Sequence, residues 1–303
     1  MKHKIFTRII FGLIFVFLVI VSAKGTIVIG KTKGFTAMPT KNSSNETLTQ
    51  EDDIREWRVQ NLKHRVRKNK KTKPGYLDYV VNTRVKIPVL MYHSISYEEG
   101  NPCKVPKENF ESQMKFLHEK GFNTITVEEL YEAITTGKEV PKKSVLVTFD
   151  DGYKDNYTDG FPIMKKYNIK ATIFVITSTV DNSNGHINSE EIKELQKNNI
   201  DIQSHTVSHK ALNKLSYEEQ YNELKNSKEY LDKLLNKNTT AIAYPYSQYN
   251  EDTIKICKKL GYKVAFTTWY GFSNYNQGLY ELKRLVIHPT TTLKEFKDIL
   301  NDY

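Results

Sequence analysis

Two adjacent carboxylates follow an apolar run in the middle of the sequence. Asp150 and Asp151 come directly after residues 144–149, and Gly152 follows them. Two carboxylates side by side at the end of a buried strand repel each other, and a nearby cation offsets that cost. The simpler interpretation is a solvated turn, because Asp-Gly is a common turn dipeptide. The pair therefore suits a metal-assisted reaction without requiring one.

Two histidines with helical spacing form a second group. His205 and His209 follow the strand-like run 200–204. Side chains at i and i+4 share one face of a helical turn, so both imidazoles can bind one metal ion. With one carboxylate they form a set that leaves positions open for water and substrate. The alternative is two independent, hydrogen-bonded histidines. For a bound metal, zinc is the default with these ligands, and Fe, Co or Ni is also suited.

The elements that must position these groups follow a βα pattern. From Lys86 onward, short apolar runs alternate with helix-like segments. About seven such units predict an α/β fold, a distorted or incomplete (β/α) barrel rather than an open doubly wound sheet. Functional side chains of such a barrel gather at the C-terminal ends of its strands, where both polar pairs fall. The predicted strands are Ile87–Tyr92, Ser144–Phe149, Ala171–Thr177, Ile200–Ser204, Ala241–Ala243, Lys263–Thr267 and Leu282–Ile287.

Three helices are predicted from end signals and periodicity. A capping box formed by Thr126 and Glu129 begins one that runs to about Thr136. Residues 216–235 form a long amphipathic pattern with the charges outward, and residues 292–300 form the last helix. No glycine-rich phosphate loop follows the first strand, so we expect no nucleotide cofactor.

The N-terminal part of the sequence predicts export. A cationic start precedes the uninterrupted apolar stretch 9–23, which is long for a signal-peptide core and short for a membrane-spanning helix. Residues 1–30 are therefore a signal peptide or an N-terminal membrane anchor. Either one places the protein at the extracellular face of the cell, secreted or anchored, and makes the cell membrane an expected partner of this segment. Residues 31–85 are predicted to form a basic polar spacer, and residues 86–303 the folded domain.

Positive charge is concentrated before the folded domain. Residues 1–85 carry +11 from 17 basic and 6 acidic residues, and residues 86–303 carry −1 from 28 and 29. A nucleic-acid-binding enzyme should be basic where it folds, so no nucleic-acid partner is expected. The seven basic residues within Lys63–Lys73 form either a solvated stalk or a contact with an anionic membrane or cell-wall polymer. Cys103 and Cys257 are predicted to be free thiols, with a single bridge as the alternative.

Two motifs together resemble the polysaccharide deacetylase family, also called the NodB-homology or carbohydrate esterase 4 family. The family's TFDDG stands at Thr148–Gly152, and its H-[S/T]-x-x-H stands at His205–His209. The resemblance extends over residues 86–303. It implies a hydrolase of carbon–nitrogen amide bonds that removes acetyl groups from an N-acetylated polysaccharide with one divalent metal ion.

The resemblance also implies a role for each matched position. Asp150 is the implied catalytic base. Thr206 and Ser208 are implied to brace the metal-binding loop. The implied metal ligands are Asp151, His205 and His209.

The third family motif departs from its usual R-x-P-Y. The sequence has Ala243-Tyr244-Pro245-Tyr246, so an alanine stands where the family has arginine. The resemblance implies that the backbone N–H of Tyr246 helps to bind the oxyanion. We predict that Arg284 replaces the missing arginine close to Asp150. The family's fourth motif, an Asp-Trp pairing, is not visible.

Two histidines are candidates for the general acid. His93 lies at the end of the first predicted strand, and His288 follows the last one. The MYHSI sequence around His93, together with AYPY and a late Lys-Arg-Leu, resembles the branch that de-N-acetylates poly-N-acetylglucosamine of biofilms. In that branch the catalytic histidine comes from the early strand. His93 is therefore favoured, and His288 is the alternative.

These features predict metal-dependent de-N-acetylation of an extracellular N-acetylglucosamine polymer. Poly-N-acetylglucosamine is the favoured substrate, and acetate is released. Peptidoglycan or a chitin-type glycan is the alternative substrate. A non-catalytic carbohydrate-binding relic is a third interpretation, suggested by the missing arginine. Retention of Asp150 together with all three metal ligands argues against a relic, because loss of one ligand would suffice for decay.

Overall fold

The computed structural model of the protein describes residues 85–301. The predicted signal peptide or anchor, and all of the predicted spacer except residue 85, lie outside these residues. Within 85–301, no helix combines the length and the apolar character that a membrane crossing requires.

Most of the described strands are short, apolar and buried. Burial on both faces is typical of parallel strands covered by helices, and the fully buried sequence SVLVTF at 144–149 is an example. The strands of residues 85–301 are β1 (Lys86–Ile87), β2 (Val89–Tyr92), β3 (Asn123–Thr124), β4 (Ser144–Phe149), β5 (Ala171–Val175), β6 (Ile200–Ser204), β7 (Ala241–Ala243), β8 (Val264–Tyr270), β9 (Ser273–Asn274) and β10 (Leu282–Val286).

Seven of these strands form a closed parallel barrel. Around the ring they follow the order β2, β10, β8, β7, β6, β5 and β4, and pairing of β4 with β2 closes it. They correspond to the seven strands predicted from the sequence, so the predicted (β/α) barrel is confirmed. The closed ring brings all seven C-terminal strand ends to one face of the molecule.

Helices follow most strands and cover the barrel. Capping boxes begin several of them, and the predicted one is present, with Glu129 N–H donating to Thr126 Oγ1 at 3.2 Å and Thr126 N–H donating to Glu129 Oε2 at 2.7 Å. The helices of the described region are α1 (Lys107–Glu119), α2 (Val127–Thr136), α3 (Phe161–Lys166), α4 (Ser189–Lys197), α5 (Tyr217–Leu235), α6 (Glu251–Leu260) and α7 (Leu293–Asn301).

Three predicted strand boundaries differ from the structure by two residues or more. The first predicted strand is split at Pro88, which has no N–H to donate: β1 pairs antiparallel with β9, and β2 enters the barrel. The strand predicted to end at Thr177 ends at Val175, where a short 3₁₀ turn begins soon after. The strand predicted to end at Thr267 continues to Tyr270, so its last two residues extend into solvent.

The core divides according to which side of the barrel wall a residue faces. Neighbouring residues of one strand belong to different apolar clusters, as Val89 and Leu90 of β2 do, because successive strand side chains point to opposite faces. One cluster joins residues of the strands to α2, including Leu130, and another packs Leu90 with residues of α1 such as Met114. A packed interior of this kind holds the strand ends in fixed positions.

Candidate active site

A strained turn after β4 separates the two adjacent carboxylates. Asp150 N–H continues the pairing with β2 by donating to Tyr92 O at 2.9 Å, and Gly152 N–H then donates back to Asp150 O at 2.9 Å. Asp151, at the centre of this γ-turn, has a φ of +70°, a left-handed conformation found in strained turns at functional sites. Gly152 has a φ of +75°, and a Cβ there would meet Val175 Cγ2 at 3.4 Å, so the position favours glycine.

Arg284 on β10 binds Asp150 through two parallel hydrogen bonds. Nη1 donates to Oδ1 at 2.7 Å and Nη2 donates to Oδ2 at 2.6 Å. Both side chains are buried, Arg284 at 0% exposure and Asp150 at 2%. The guanidinium also donates from Nε to Thr267 O at 3.0 Å and from Nη1 to Thr148 Oγ1 at 3.2 Å. Groups of the barrel interior thus accept hydrogen bonds from the Arg284 guanidinium, and the guanidinium neutralises the charge of Asp150.

This ion pair controls the charge of Asp150. Burial raises the pKa of the Asp150 carboxyl group, but the Arg284 guanidinium together with the neighbouring His205 and His93 outweighs burial and holds that pKa below its usual range. Asp150 is therefore ionised at neutral pH and can accept a proton. The structure brings Arg284 to the place where the sequence predicted a substitute for the missing arginine.

Asp151, His205 and His209 converge on one point at the barrel mouth. One ligand atom from each lies within 4.8 Å of the others. Asp151 Oδ1 is 3.4 Å from Nε2 of both imidazoles, and the two Nε2 atoms are 3.1 Å apart. Asp151 Oδ1 is buried, and among residues 85–301 it has no hydrogen-bond partner. A buried carboxylate oxygen without a donor, facing two imidazole nitrogens, fits a divalent cation, which supplies the missing partner to all three.

The other nitrogen of each imidazole is held by the end of β7 or the turn after it. His205 Nδ1–H donates to the carbonyl oxygen of Ala243 at 2.7 Å, which leaves Nε2 without a proton and free to bind a metal. His209 Nδ1 lies 3.1 Å from Tyr246 Oη. Burial and the neighbouring His205 together lower the pKa of His209 to about 4. A neutral imidazole is the form that binds metal ions.

The loop that carries the two histidines is braced by its own side chains and by α5. Thr206 Oγ1 accepts from His209 N–H at 3.1 Å. Glu223 of α5 accepts from the backbone N–H groups of Val207, at 3.0 Å, and Ser208, at 2.9 Å, and also from the Ser208 hydroxyl. Sequence reasoning singled out Thr206 and Ser208 but not Glu223. Nothing in the periodicity of α5 separates this glutamate from the other acidic residues of the helix.

His93 and His288 follow neighbouring strands but lie in different surroundings. His93 follows β2 and is partly buried. Burial lowers its pKa, the charges of Asp150 and Asp151 oppose that change, and Arg284 reinforces it, so His93 lies within electrostatic reach of the carboxylate pair. His288 is exposed, in a turn where its backbone N–H donates to Thr291 Oγ1 at 3.0 Å. Of the two candidates, His93 is therefore the one that the charges of Asp150 and Asp151 connect to the site.

Tyr246 occupies a second strained turn, after β7. Its φ is +55°, as is that of Ser247, and its side chain is 62% exposed. The ring lies against His209, with centroids 4.5 Å apart. Ala243, which replaces the family arginine, is fully buried, and its carbonyl group orients His205 instead. The third motif thus contributes to the metal side of the site, while the arginine comes from β10.

Two residues missed by the sequence reasoning lie just beyond the carboxylate turn. Asp155 and Asn156 bond to the chain immediately after His93: Asn156 Nδ2 donates to His93 O at 2.7 Å, and Asp155 Oδ1 accepts from Ile95 N–H at 2.8 Å. Their position four to five residues after Asp151 was the only signal in the sequence. Their partners became visible only when β2 and β4 were paired.

The fold and the clustered carboxylate and imidazole groups are those of a (β/α)-barrel hydrolase. A family model described as polysaccharide deacetylase matches residues 137–265. YxkH of Bacillus subtilis (strain 168), a protein assigned to the polysaccharide deacetylases, is 44% identical over 204 residues, which cover 67% of this chain and 72% of YxkH. The chain belongs to the polysaccharide deacetylase family, and it is a hydrolase of the amide bonds of acetylated polysaccharides, as predicted.

Two further relatives extend this comparison. A poly-β-1,6-N-acetyl-D-glucosamine N-deacetylase of Staphylococcus aureus is 32% identical over 210 residues, covering 65% of this chain and 72% of that protein. The structure of the Streptococcus pyogenes deacetylase PplD, in complex with acetate, is 37% identical and superimposes with a TM-score of 0.69 over 71% of this chain and 98% of PplD.

Proposed function

We propose that the protein removes acetyl groups from a β-1,6-linked N-acetylglucosamine polymer at the extracellular face of the cell. The observation that carries this proposal is the Arg284–Asp150 ion pair beside the Asp151, His205 and His209 cluster. A base held in its ionised form next to a set of metal ligands is suited to promote attack by water on an amide carbonyl. A non-catalytic relic would have no reason to keep this arrangement.

Three residues hold the cation and one takes up the proton. Asp151, His205 and His209 would bind one divalent ion, zinc by default for these donors. When bound, such an ion supplies Lewis acidity that lowers the pKa of water toward neutrality. Asp150, kept off the cation by its two hydrogen bonds to Arg284, accepts the proton of the attacking water. The ion pair also fixes the orientation of the accepting carboxylate.

Two groups complete the reaction on the substrate side. The backbone N–H of Tyr246 donates to the oxyanion. Loss of one such donor typically raises the activation barrier by about 3–4 kcal/mol. His93 donates a proton to the departing amine, which stays on the polymer as the free amine of a glucosamine unit, and acetate is released. Burial lowers the pKa of His93, the charges of Asp150 and Asp151 oppose that change, and negative charge that develops on the substrate beside it would further favour the protonated form.

The choice of polymer rests on the relatives and on the early histidine. The Staphylococcus aureus relative is named for activity on poly-β-1,6-N-acetyl-D-glucosamine. The sequence around His93 matches the pattern expected of that branch, and the charges of Asp150 and Asp151 act on this histidine. Extracellular placement follows from the predicted signal peptide or anchor in residues 1–30, which lies outside the described residues.

The test measures acetate release by the purified protein from β-1,6-linked N-acetylglucosamine oligomers, with and without a chelator, and after zinc is restored. We expect release that the chelator abolishes and zinc recovers. Equal assays on purified peptidoglycan and on chitin oligomers identify the preferred glycan. Absence of chelator-sensitive release from all three glycans would contradict a deacetylase. Release from peptidoglycan alone would retain the reaction and replace the polymer.

A further inference from the structure

We infer that Asp155 and Asn156 are positioning residues for His93, a role that rests on the proposed function. Both follow the carboxylate turn, and their side chains reach across to the chain that continues β2. They contact three consecutive residues, His93, Ser94 and Ile95. The segment that carries the base therefore also holds the proposed acid.

Asn156 fixes the backbone of His93 itself. Its Nδ2 donates to His93 O at 2.7 Å, and it also donates to Asp155 Oδ1 at 3.2 Å. The side chain is fully buried. Holding this carbonyl oxygen limits rotation of the peptide group after His93, which sets the direction in which the imidazole leaves the strand end.

Asp155 fixes the two residues that follow. Its Oδ1 accepts from Ile95 N–H at 2.8 Å, and its Oδ2 accepts from the Ser94 hydroxyl at 2.5 Å. Ser94 and Ile95 are each only 1% exposed. The backbone of Ser94 is held on its other side by Cys103 O and Val105 N–H, both at 3.0 Å. The chain after β2 thus turns away from the site along a fully specified path.

The energetics of Asn156 argue that it is not placed for stability alone. Its Oδ1 is buried and has no hydrogen-bond partner among residues 85–301, a loss that typically costs about 1–3 kcal/mol. The chain also departs from α-helical geometry here, since residues 156–160 form a π-helical turn. Such turns are rare and occur frequently at functional sites. This unfavourable energy is found at the position from which the Asn156 amide group reaches His93 O.

The consequence is a fixed relation between acid and base. Asp150 N–H bonds to Tyr92 O, the residue before His93, and Asn156 bonds to His93 O. Two contacts from one segment therefore bracket the histidine. Displacement of a catalytic group by about 1 Å can reduce the rate about 100-fold, so loss of either contact should be visible in turnover.

The test exploits the difference between an amide and an activated ester. Departure of an amine requires a proton, whereas 4-nitrophenolate leaves without one. We expect Asn156→Ala to reduce kcat on N-acetylglucosamine oligomers by about 100-fold, with the rate on 4-nitrophenyl acetate largely unchanged and zinc affinity equal to wild type. His93→Ala is the benchmark and should show the same selective loss.

Asn123→Ala is the matched control. Asn123 Nδ2 donates to the carbonyl oxygen of Lys142 at 3.0 Å, next to the N-terminal end of β4 and far along that strand from the site. Its loss should leave both rates unchanged. If Asn156→Ala fails to fold, as judged by circular dichroism, Asp155→Ala carries the test with the same readouts, and Asp155→Asn should restore activity because an amide oxygen can still accept from Ile95 N–H.

Each outcome decides between roles. A selective loss on the amide supports positioning of the acid. Equal loss on both substrates, or no loss on either, in a folded variant of an active wild type would overturn this inference and leave the proposed function intact. A wild type that releases no acetate from the oligomers would overturn the proposed function first, and this inference with it.

Discussion

The base side and the metal side of the site are held in different ways. On the base side, Asp150 and Arg284 are buried within the barrel and bound to each other by two hydrogen bonds. On the metal side, His209 and Tyr246 lie on partly exposed turns with left-handed backbone. On the base side, the charge of Asp150 is neutralised by Arg284. The metal side gathers a carboxylate and two imidazoles, a set of donors that suits a divalent cation.

The residues of the two sides are held in place by different parts of the fold. The base side is preformed, because its partners are strand residues fixed by closure of the barrel. The metal side depends chiefly on Glu223 of α5 and on the Ala243 carbonyl group at the end of β7. Metal binding should therefore order the histidine loop while leaving Asp150 and Arg284 where they are. Substitutions on the two sides should separate turnover from metal affinity.

The largest effect should follow from Asp150→Asn, which removes the base while keeping its shape. General-base catalysis typically contributes about 10²–10⁴-fold, so kcat should fall by that amount while one zinc ion per chain is retained. Loss of the charge also leaves Arg284 without its partner, so the melting temperature should fall. Steady-state rates and metal analysis of the same sample measure both. Activity near wild type would remove Asp150 as the base.

For Arg284→Met, the main expected effect is a lower free energy of unfolding. It leaves a buried carboxylate without a cation, and loss of one partner of a buried pair typically costs about 3–5 kcal/mol in the free energy of unfolding. Denaturant unfolding of the metal-free protein measures this cost, and the double variant Asp150→Asn/Arg284→Met should recover much of it. Arg284→Lys, which keeps charge but not the two-pronged contact, should lie between.

The pH dependence of that cost has a definite sign. The pKa of Asp150 is lowered in the folded protein, so the pair contributes stability above the unfolded pKa and loses it as the pH falls through the folded pKa. The difference between wild type and Arg284→Met should therefore shrink toward low pH. A difference that is constant with pH would mean that lost packing, not charge, causes the destabilisation.

Glu223→Ala should affect the metal side alone. Three hydrogen bonds to the histidine loop are lost, and residues that support metal ligands typically change metal affinity by about 10–100-fold. Competition with a chromogenic chelator measures zinc affinity, and zinc at saturation should restore most of kcat. Glu229→Ala, an exposed position on the same helix, is the control. Unchanged zinc affinity in Glu223→Ala would show that the loop is ordered without α5.

The smallest effect is expected for Tyr246→Phe. It removes the hydroxyl that lies 3.1 Å from His209 Nδ1 but keeps the backbone N–H proposed to bind the oxyanion. One hydrogen bond is typically worth about 0.5–1.5 kcal/mol, so zinc affinity should weaken about two- to tenfold with kcat at saturating zinc nearly unchanged. A large fall in kcat with unchanged zinc affinity would instead give the hydroxyl a role in the reaction.

Local sequence patterns were enough to predict the barrel and the two motifs. Strand and helix positions follow from short-range periodicity and capping, so β4, β6 and β7 were predicted with their observed bounds. The carboxylate turn and the histidine pair are each contained within five residues. The errors fell at strand ends, where Pro88 interrupts pairing and where β8 extends beyond its apolar part.

Partner choice between distant residues was harder to predict. Arg284 was proposed beside Asp150 from position alone, and the two residues are 134 positions apart. Glu223 and Asn156 were hard to single out in the sequence, because most of their partners are backbone groups, and any residue type provides those. Nothing in their own neighbourhood in the sequence distinguishes them from other polar residues.

Residue types and local patterns were thus sufficient to predict which chemical groups the protein has, which strands carry them and which face of the barrel they share. Residue type, period and spacing are local properties, and they act before any distant contact forms. Folding adds the contacts between distant residues: Arg284 of β10 binds Asp150, the Ala243 carbonyl group accepts from His205, and His93 lies within electrostatic reach of the carboxylate pair. Those outcomes depend on strand register and barrel closure, which bring together groups that no local pattern relates.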